Sequence, residues 1–217
     1  TKNKDLLQGL GLTYPFFKCE EAKKTKISNH SYPIKSLFTE NPEEFGHNKR
    51  WGISDNIREV NASYESQLSG HLASSDNLII SGEEISKLRG EEMLKLAERI
   101  RDCNYTLKVI ALVRNPYSAI CSAIQQQIKG GHYIKLISLN DRVPKSYNPQ
   151  RFGKAKILKT LRKVFGDSLS LHTFDDACAN PYGPVGFLLQ DFLGQDPSAF
   201  KYVRSNESMS NLSVRIA

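Results

Sequence analysis

Residues 108–131 read KVIALVRNPYSAICSAIQQQIKGG. The stretch opens with an apolar run from Val109 to Val113, breaks at Arg114, Asn115 and Pro116, and resumes with apolar residues at Ile120, Ile124 and Ile128. A short apolar run followed by a Pro-containing break and a four-residue spacing predicts a buried strand, a turn and a helix. Arg114 then stands at the carboxyl end of a strand, where open α/β sheets bind their ligands. Ser122 follows eight residues later, on the second helical turn. An arginine fork and a directed hydroxyl at this spacing can converge on one phosphate.

Working outward from this stretch, Asn77 to Ser81 (NLIIS) predicts a second short strand that opens into Gly82, Glu83 and Glu84. Gly90 to Cys103 predicts a helix whose buried side carries Met93, Leu94, Leu96, Ala97 and Ile100. Strand, helix, strand is the unit of a parallel sheet, and its right-handed crossover would bring Glu83 and Arg114 to one cleft. Acids at 83 and 84 suit the positive end of a helix equally well. Upstream, Ile57, Val60, Tyr64 and Leu68 recur at three and four residues, predicting an amphipathic helix over 55–72 that Ser69-Gly70 could end. Residues 1–12 read as a helix end with Leu6, Leu7 and Leu10 on one face, and Tyr14-Pro15 as extended chain. Residues 18–31, polar and basic, read as a loop entering a helix at Ile34 to Phe38; His30 in that loop reads as a solvated or turn residue more readily than as a catalytic one. Downstream, 132–150 reads as a binding loop or lid, and 151–165 as a basic amphipathic helix with Phe152, Ile157, Leu158, Leu161 and Val164 inward. Ser168 to Phe174 alternates as a half-buried strand, and Val185 to Leu193 reads as a short helix stopped by Gly194.

The 217 residues suffice for one well-packed α/β domain, taken as 1–217. With 39% apolar and 24% charged residues the composition is that of a water-soluble globule, and no apolar run approaches the roughly 20 residues that cross a bilayer. A formal charge of +7 favours an anionic partner, although its dispersal also describes an ordinary solvated surface. Cys19, Cys103, Cys121 and Cys178 form no metal-ligand spacing and read as buried thiols in a reducing, cytoplasmic compartment. No aromatic-basic stripe or nucleic-acid module is evident.

The segment V-I-A-L-V-R-N-P-Y-S-A-I-C-S resembles the 3′-phosphate-binding segment of sulfotransferases that use 3′-phosphoadenosine-5′-phosphosulfate (PAPS), in which a strand-end arginine and a serine eight residues on hold the 3′-phosphate. Gln126, Gln127, Lys129 and Gly130 extend the likeness toward the bacterial and marine branch acting on carbohydrates, and Leu6 to Pro15, His30, LIISGEE, Phe165-Gly166, Phe174-Asp175 and Asn206-Glu-Ser208 fall in a similar order. The resemblance implies a P-loop-NTPase-like three-layer α/β domain with a central, mainly parallel sheet flanked by helices. It implies PAPS as donor without a metal, a carbohydrate acceptor, and Arg114 and Ser122 as cofactor anchors. The base is expected at Glu83, then Glu84, then His30; Gln126, Gln127 and Lys129 are acceptor contacts or a solvated helix face. The family's glycine-rich phosphosulfate loop is not in these residues and is expected, with the first strand, ahead of residue 1. Rival expectations are a catalytically silent binder of PAP, the desulfated cofactor, and a P-loop-like kinase, which would need the same loop and a strand-end aspartate for magnesium.

Overall fold

A computed structural model describes residues 3–131 and 154–202. The expected lid at 132–150, Phe152 and the segment Asn206-Glu-Ser208 lie outside the described residues. The chain is mixed helix and strand, of the α/β class, and divides into two compact units: 1–109 with 159–169, and 110–158 with 170–217.

In the first unit, α1 (Lys4–Gly9) ends where Gly11 takes a φ of +68°, and β1 (Leu12–Thr13) follows. β1 pairs in parallel with β4 (Asn77–Leu78), Leu12 opposite Asn77, and the Ile79 N–H donates to the Thr13 carbonyl at 2.8 Å. Between them, 18–31 holds a hairpin rather than the expected loop: β2 (Phe17–Cys19) runs antiparallel to β3 (Lys24–Ile27), with Lys23 turning the chain at φ 53°. Only Phe17, Cys19 and Ile27 of this hairpin are buried, while Lys24, Thr25 and Lys26 all face solvent, too few alternations for the period of two to register. The outer edge of β2 is met by a side chain, since the Gln67 amide accepts from the Lys18 N–H at 2.7 Å and donates to its carbonyl at 3.0 Å, as a neighbouring strand would.

Gln67 belongs to α4 (Ile57–Ser74), around which the unit packs. Its buried positions are Ile57, Val60, Tyr64, Leu68 and Leu72, a single apolar stripe. The helix runs through Ser69-Gly70 because Leu72 continues that stripe, and its burial outweighs the cost of one internal glycine, about 1 kcal/mol. α2 (Ser31–Phe38) carries Pro33 in its first turn, where no helical N–H is needed, and buries Ile34. α3 (Gly46–Trp51) is stopped by Gly52 at φ 68°. α5 (Gly90–Arg101) buries Met93, Leu96 and Ala97 as its spacing predicts, whereas Leu94 is exposed.

In the second unit, β5 (Val109–Val113) pairs with β6 (Leu169–Thr173), and α6 (Pro116–Lys129) follows β5. The strand, turn and helix expected over 109–128 are therefore present, although β5 is half-buried along its whole length and not buried as expected. α7 (Ala155–Phe165) has Ala155–Leu158 in this unit and the remainder, with the buried Leu161, in the first. α8 (Phe174–Ala179) opens with a Thr173 cap, whose Oγ1 accepts from the Asp176 N–H at 3.0 Å. α9 (Gly183–Phe187) continues into a π-turn over Leu188–Phe192, which ends at Gly194 with φ +65°. Among the described residues of this unit, Ile120, Ala177, Leu189, Pro197 and Phe200 are buried apolar side chains. Of the four cysteines only Cys19 is buried; Cys103 and Cys121 are half-buried and Cys178 is exposed, and all are free thiols. Cys178 follows the exposed Asp175 and Asp176 on a short helix that buries Ala177 alone, so the buried-thiol expectation holds for one position only. Among the described residues no helix is long and apolar enough to cross a membrane, and no cluster of three metal-ligating side chains occurs.

Candidate functional site

β5 ends because Asn115 caps the following helix: its Oδ1 accepts the Tyr117 N–H at 2.9 Å, and Pro116 occupies the first helical position. Arg114 is thus the last residue before a helix start, and its side chain folds back along α6. Nη1 donates to Ser122 Oγ at 3.0 Å, and the guanidinium carbon lies 3.9 Å from the centroid of the Phe174 ring. Phe174 directly follows β6 as Arg114 directly follows β5, so this stack puts the carboxyl ends of both strands at one edge. Stacking on the ring fixes the guanidinium plane while its in-plane donors stay available. Among the described residues one of those donors is used and no carboxylate lies within ion-pair reach, although Asp175 and Asp176 follow in the first turn of α8. Arg114 is exposed and Ser122 half-buried. The pair offers a charged fork and a hydroxyl oriented together, an arrangement suited to one phosphate or sulfate group.

Ser122, Gln126 and Lys129 are spaced by four and three residues on α6 and share one face, with Lys129 about 10 Å along the axis from Ser122. Gln127 lies off that face. Gln126, Gln127 and Lys129 are all exposed in the last turn of the helix.

The other candidates belong to the first unit, whereas Arg114 and Ser122 belong to the second. His30 is not a solvated turn residue. It is fully buried, with Nε2 2.8 Å from the Pro15 carbonyl and Nδ1 accepting the Ser81 N–H at 2.9 Å. That pattern fixes the neutral tautomer with its proton on Nε2. Burial holds the imidazole below its ordinary value, the Pro15 hydrogen bond opposes that shift, and His71 adds to it. The Ser31 hydroxyl accepts the Glu84 N–H at 3.1 Å, so the start of α2 and the Gly82-Glu83-Glu84 turn are tied together. That bond joins Ser31 and Glu84, 53 residues apart in sequence, and brings His30 and the two glutamates to one region.

Glu84 is held from two sides, by Lys35 at 2.7 Å and by Lys87 in the next helical turn. Partial burial pushes its carboxyl up, but the two lysines outweigh burial and leave it below the usual value. An acid so paired stays ionised and is a weak proton acceptor. Glu83 is exposed. Sequence reasoning missed Phe174 as the platform for Arg114, Lys35 as the partner of Glu84, and His47, whose ring sits 4.2 Å from that of Tyr32. Lys35 and Glu84 are 49 positions apart and no local period links them; the sequence offers Phe174 as the end of the expected strand and in the Phe174-Asp175 likeness, neither of which points to Arg114. Compared with known proteins, the chain matches no family model, no curated protein and no solved structure.

Proposed function

We propose that this chain belongs to a PAPS-dependent sulfotransferase of P-loop-like fold, which moves a sulfonyl group onto a hydroxyl of a carbohydrate acceptor. The observation that carries this reading is the Arg114–Ser122 hydrogen bond of 3.0 Å, held at a strand end with the guanidinium stacked on Phe174. In this reading the pair grips the 3′-phosphate, which orients the nucleotide for in-line transfer. The acceptor oxygen attacks sulfur, the bond from sulfur to the bridging phosphate oxygen breaks, and PAP departs while a base takes the acceptor proton. Of the three candidate bases, His30 has both ring nitrogens committed to backbone and Glu84 is neutralised by two lysines, so Glu83 is the base we assign. Gln126 and Lys129, on the Ser122 face, would contact the acceptor, with Gln127 beside them.

In the full-length natural protein PAP should raise the melting temperature, and AMP, lacking the 3′-phosphate, should do so far less. Arg114→Ala should weaken PAP binding about 10- to 100-fold, the worth of a hydrogen-bonded charge. Equal responses to PAP and AMP, or an unchanged PAP affinity in Arg114→Ala, would sink the proposal. The structural commitment of Glu84 and His30 also favours a second reading, a silent PAP-binding module. Sulfate release from PAPS to an acceptor, abolished in Glu83→Gln with PAP affinity retained, decides for the enzyme; PAP binding with no turnover in the full-length protein decides for the module.

A further inference from the structure

The turn that carries Glu83 is fastened on both sides by the residues that begin α2. Before it, His30 and Ser81 exchange two bonds: the His30 N–H donates to the Ser81 carbonyl at 3.2 Å, and His30 Nδ1 accepts the Ser81 N–H at 2.9 Å. After it, Ser31 Oγ accepts the Glu84 N–H at 3.1 Å. Between the two fastenings Gly82 passes so close to Ser31 that a β-carbon would stand 2.4 Å from its backbone nitrogen. The Glu83 side chain is exposed and makes no hydrogen bond or ion pair among the described residues, so the backbone of this turn sets where its carboxylate stands.

One of these bonds depends on a proton. Nδ1 accepts the Ser81 N–H because the imidazole is neutral and carries its proton on Nε2, which donates to the Pro15 carbonyl at 2.8 Å. A second proton, on Nδ1, would turn the acceptor into a donor and set it against the Ser81 N–H, two donors with no acceptor between them. Nothing around the ring compensates. It is fully buried, with the Tyr14 ring 4.4 Å and the Phe17 ring 6.0 Å away. The Tyr14 phenol is kept neutral by burial, His71 of α4 disfavours a second positive charge, and Glu84 on the turn itself is paired with Lys35 and Lys87. Protonation of His30 therefore breaks the first fastening, while Ser31 keeps the second.

We propose that His30 is a positioning residue for the Glu83 turn: in its neutral form it latches Ser81 to the start of α2, and its protonation frees the turn and withdraws the Glu83 carboxylate from the place it holds at neutral pH. The consequence for sulfonyl transfer rests on the assignment of Glu83 as base; the latch does not.

Amide hydrogen exchange of the full-length protein, resolved by residue and corrected for the intrinsic pH dependence of exchange, reads the latch directly. Between about pH 7.5 and 5.5 the protection of the Ser81 N–H should fall about 10-fold, while Val60 and Leu68, buried on α4, keep theirs. His30→Asn, whose amide oxygen can accept the same N–H and does not titrate, should hold Ser81 protection constant over that range, and His30→Ala should lack it at both ends. The kcat for sulfonyl transfer should follow the same pattern, with PAP affinity unmoved in either variant because Arg114 and Ser122 stand on other elements. Ser81 protection independent of pH in the unsubstituted protein, a fall shared equally by Val60 and Leu68, or the same acid loss in His30→Asn would overturn the latch. A pH-dependent Ser81 amide in a protein that never transfers sulfonyl groups would leave the latch standing and sink the function proposed above, so the two fail separately.

Discussion

A β-carbon on Gly82 would stand 2.7 Å from Ser31 Oγ and 2.9 Å from Ser31 Cα, both fixed at the start of α2. The residue is glycine because backbone approaches backbone there, and the same contact sets Glu83 and Glu84 beside α2. Gly82→Ala should therefore destabilise by about 1–3 kcal/mol, the usual cost of overpacking, read as a lower urea midpoint at constant slope. Gly70 is the contrasting case, in mid-helix with nothing within 4 Å of an added β-carbon. Gly70→Ala should stabilise by about 0.5–1 kcal/mol in the same measurement. Tyr64 is buried with its hydroxyl unpaired among the described residues, and the thiol of nearby Cys19 is directed to Glu21 at 3.6 Å. Removing the hydroxyl should cost little, so Tyr64→Phe is expected between neutral and about 1 kcal/mol more stable. A loss beyond about 1 kcal/mol would show that the hydroxyl does have a partner.

At the scale of elements, the junction of α2 with α5 rests on Glu92. Its side chain, 8% exposed, closes the start of α5 by accepting the Arg89 N–H at 2.7 Å, and reaches the end of α2 through the Glu40 N–H at 2.8 Å and Thr39 Oγ1 at 3.2 Å. The Arg89 guanidinium adds two further bonds at 3.0 and 3.1 Å. Burial raises the Glu92 carboxyl, and these donors outweigh it, leaving the acid below its ordinary value. Glu92→Ala should cost about 1–3 kcal/mol, because it leaves the Arg89 and Glu40 N–H groups without their acceptor while the exposed Arg89 guanidinium keeps Glu40, and Glu92→Gln about half as much. With the folded value depressed, this contribution is complete above the unfolded value of about 4.5 and declines as pH falls below it. A Glu92→Gln chain whose stability kept the full acid slope below about pH 4.5 would contradict that role. Glu92 accepts from the Arg89 N–H only three residues back, but Arg89 is not one of the Ser, Thr, Asp or Asn caps that mark a helix start, and the reach to Glu40 follows no local rule, the residues being 52 apart.

For the molecule as a whole, the first acid-sensitive step should come from histidine. His30 joins the Pro15 loop, the start of α2 and the end of β4 in its neutral form, and its folded value is depressed. Its contribution is therefore complete above the unfolded value of about 6.5 and is lost as pH falls below that, before the carboxylates begin to titrate. His47, also held low, adds in the same direction. Melting temperature should fall between about pH 7 and 5, and His30→Gln should be less stable at pH 8 but show a flatter slope through that range. An unchanged slope in the variant would assign the step elsewhere. The sequence by itself determined the helices with long apolar stripes, α4 and α5, and the β5–turn–α6 segment with Arg114 and Ser122 on it, because these follow from periodicity and caps within about twenty residues. Tertiary structure alone decided that β1 pairs with β4 and β5 with β6, that His30 is buried, that Lys35 neutralises Glu84, and that Phe174 lies under Arg114. Each of these depends on contacts between distant positions, whose energies carry no local signature and exist only once the chain has closed on itself.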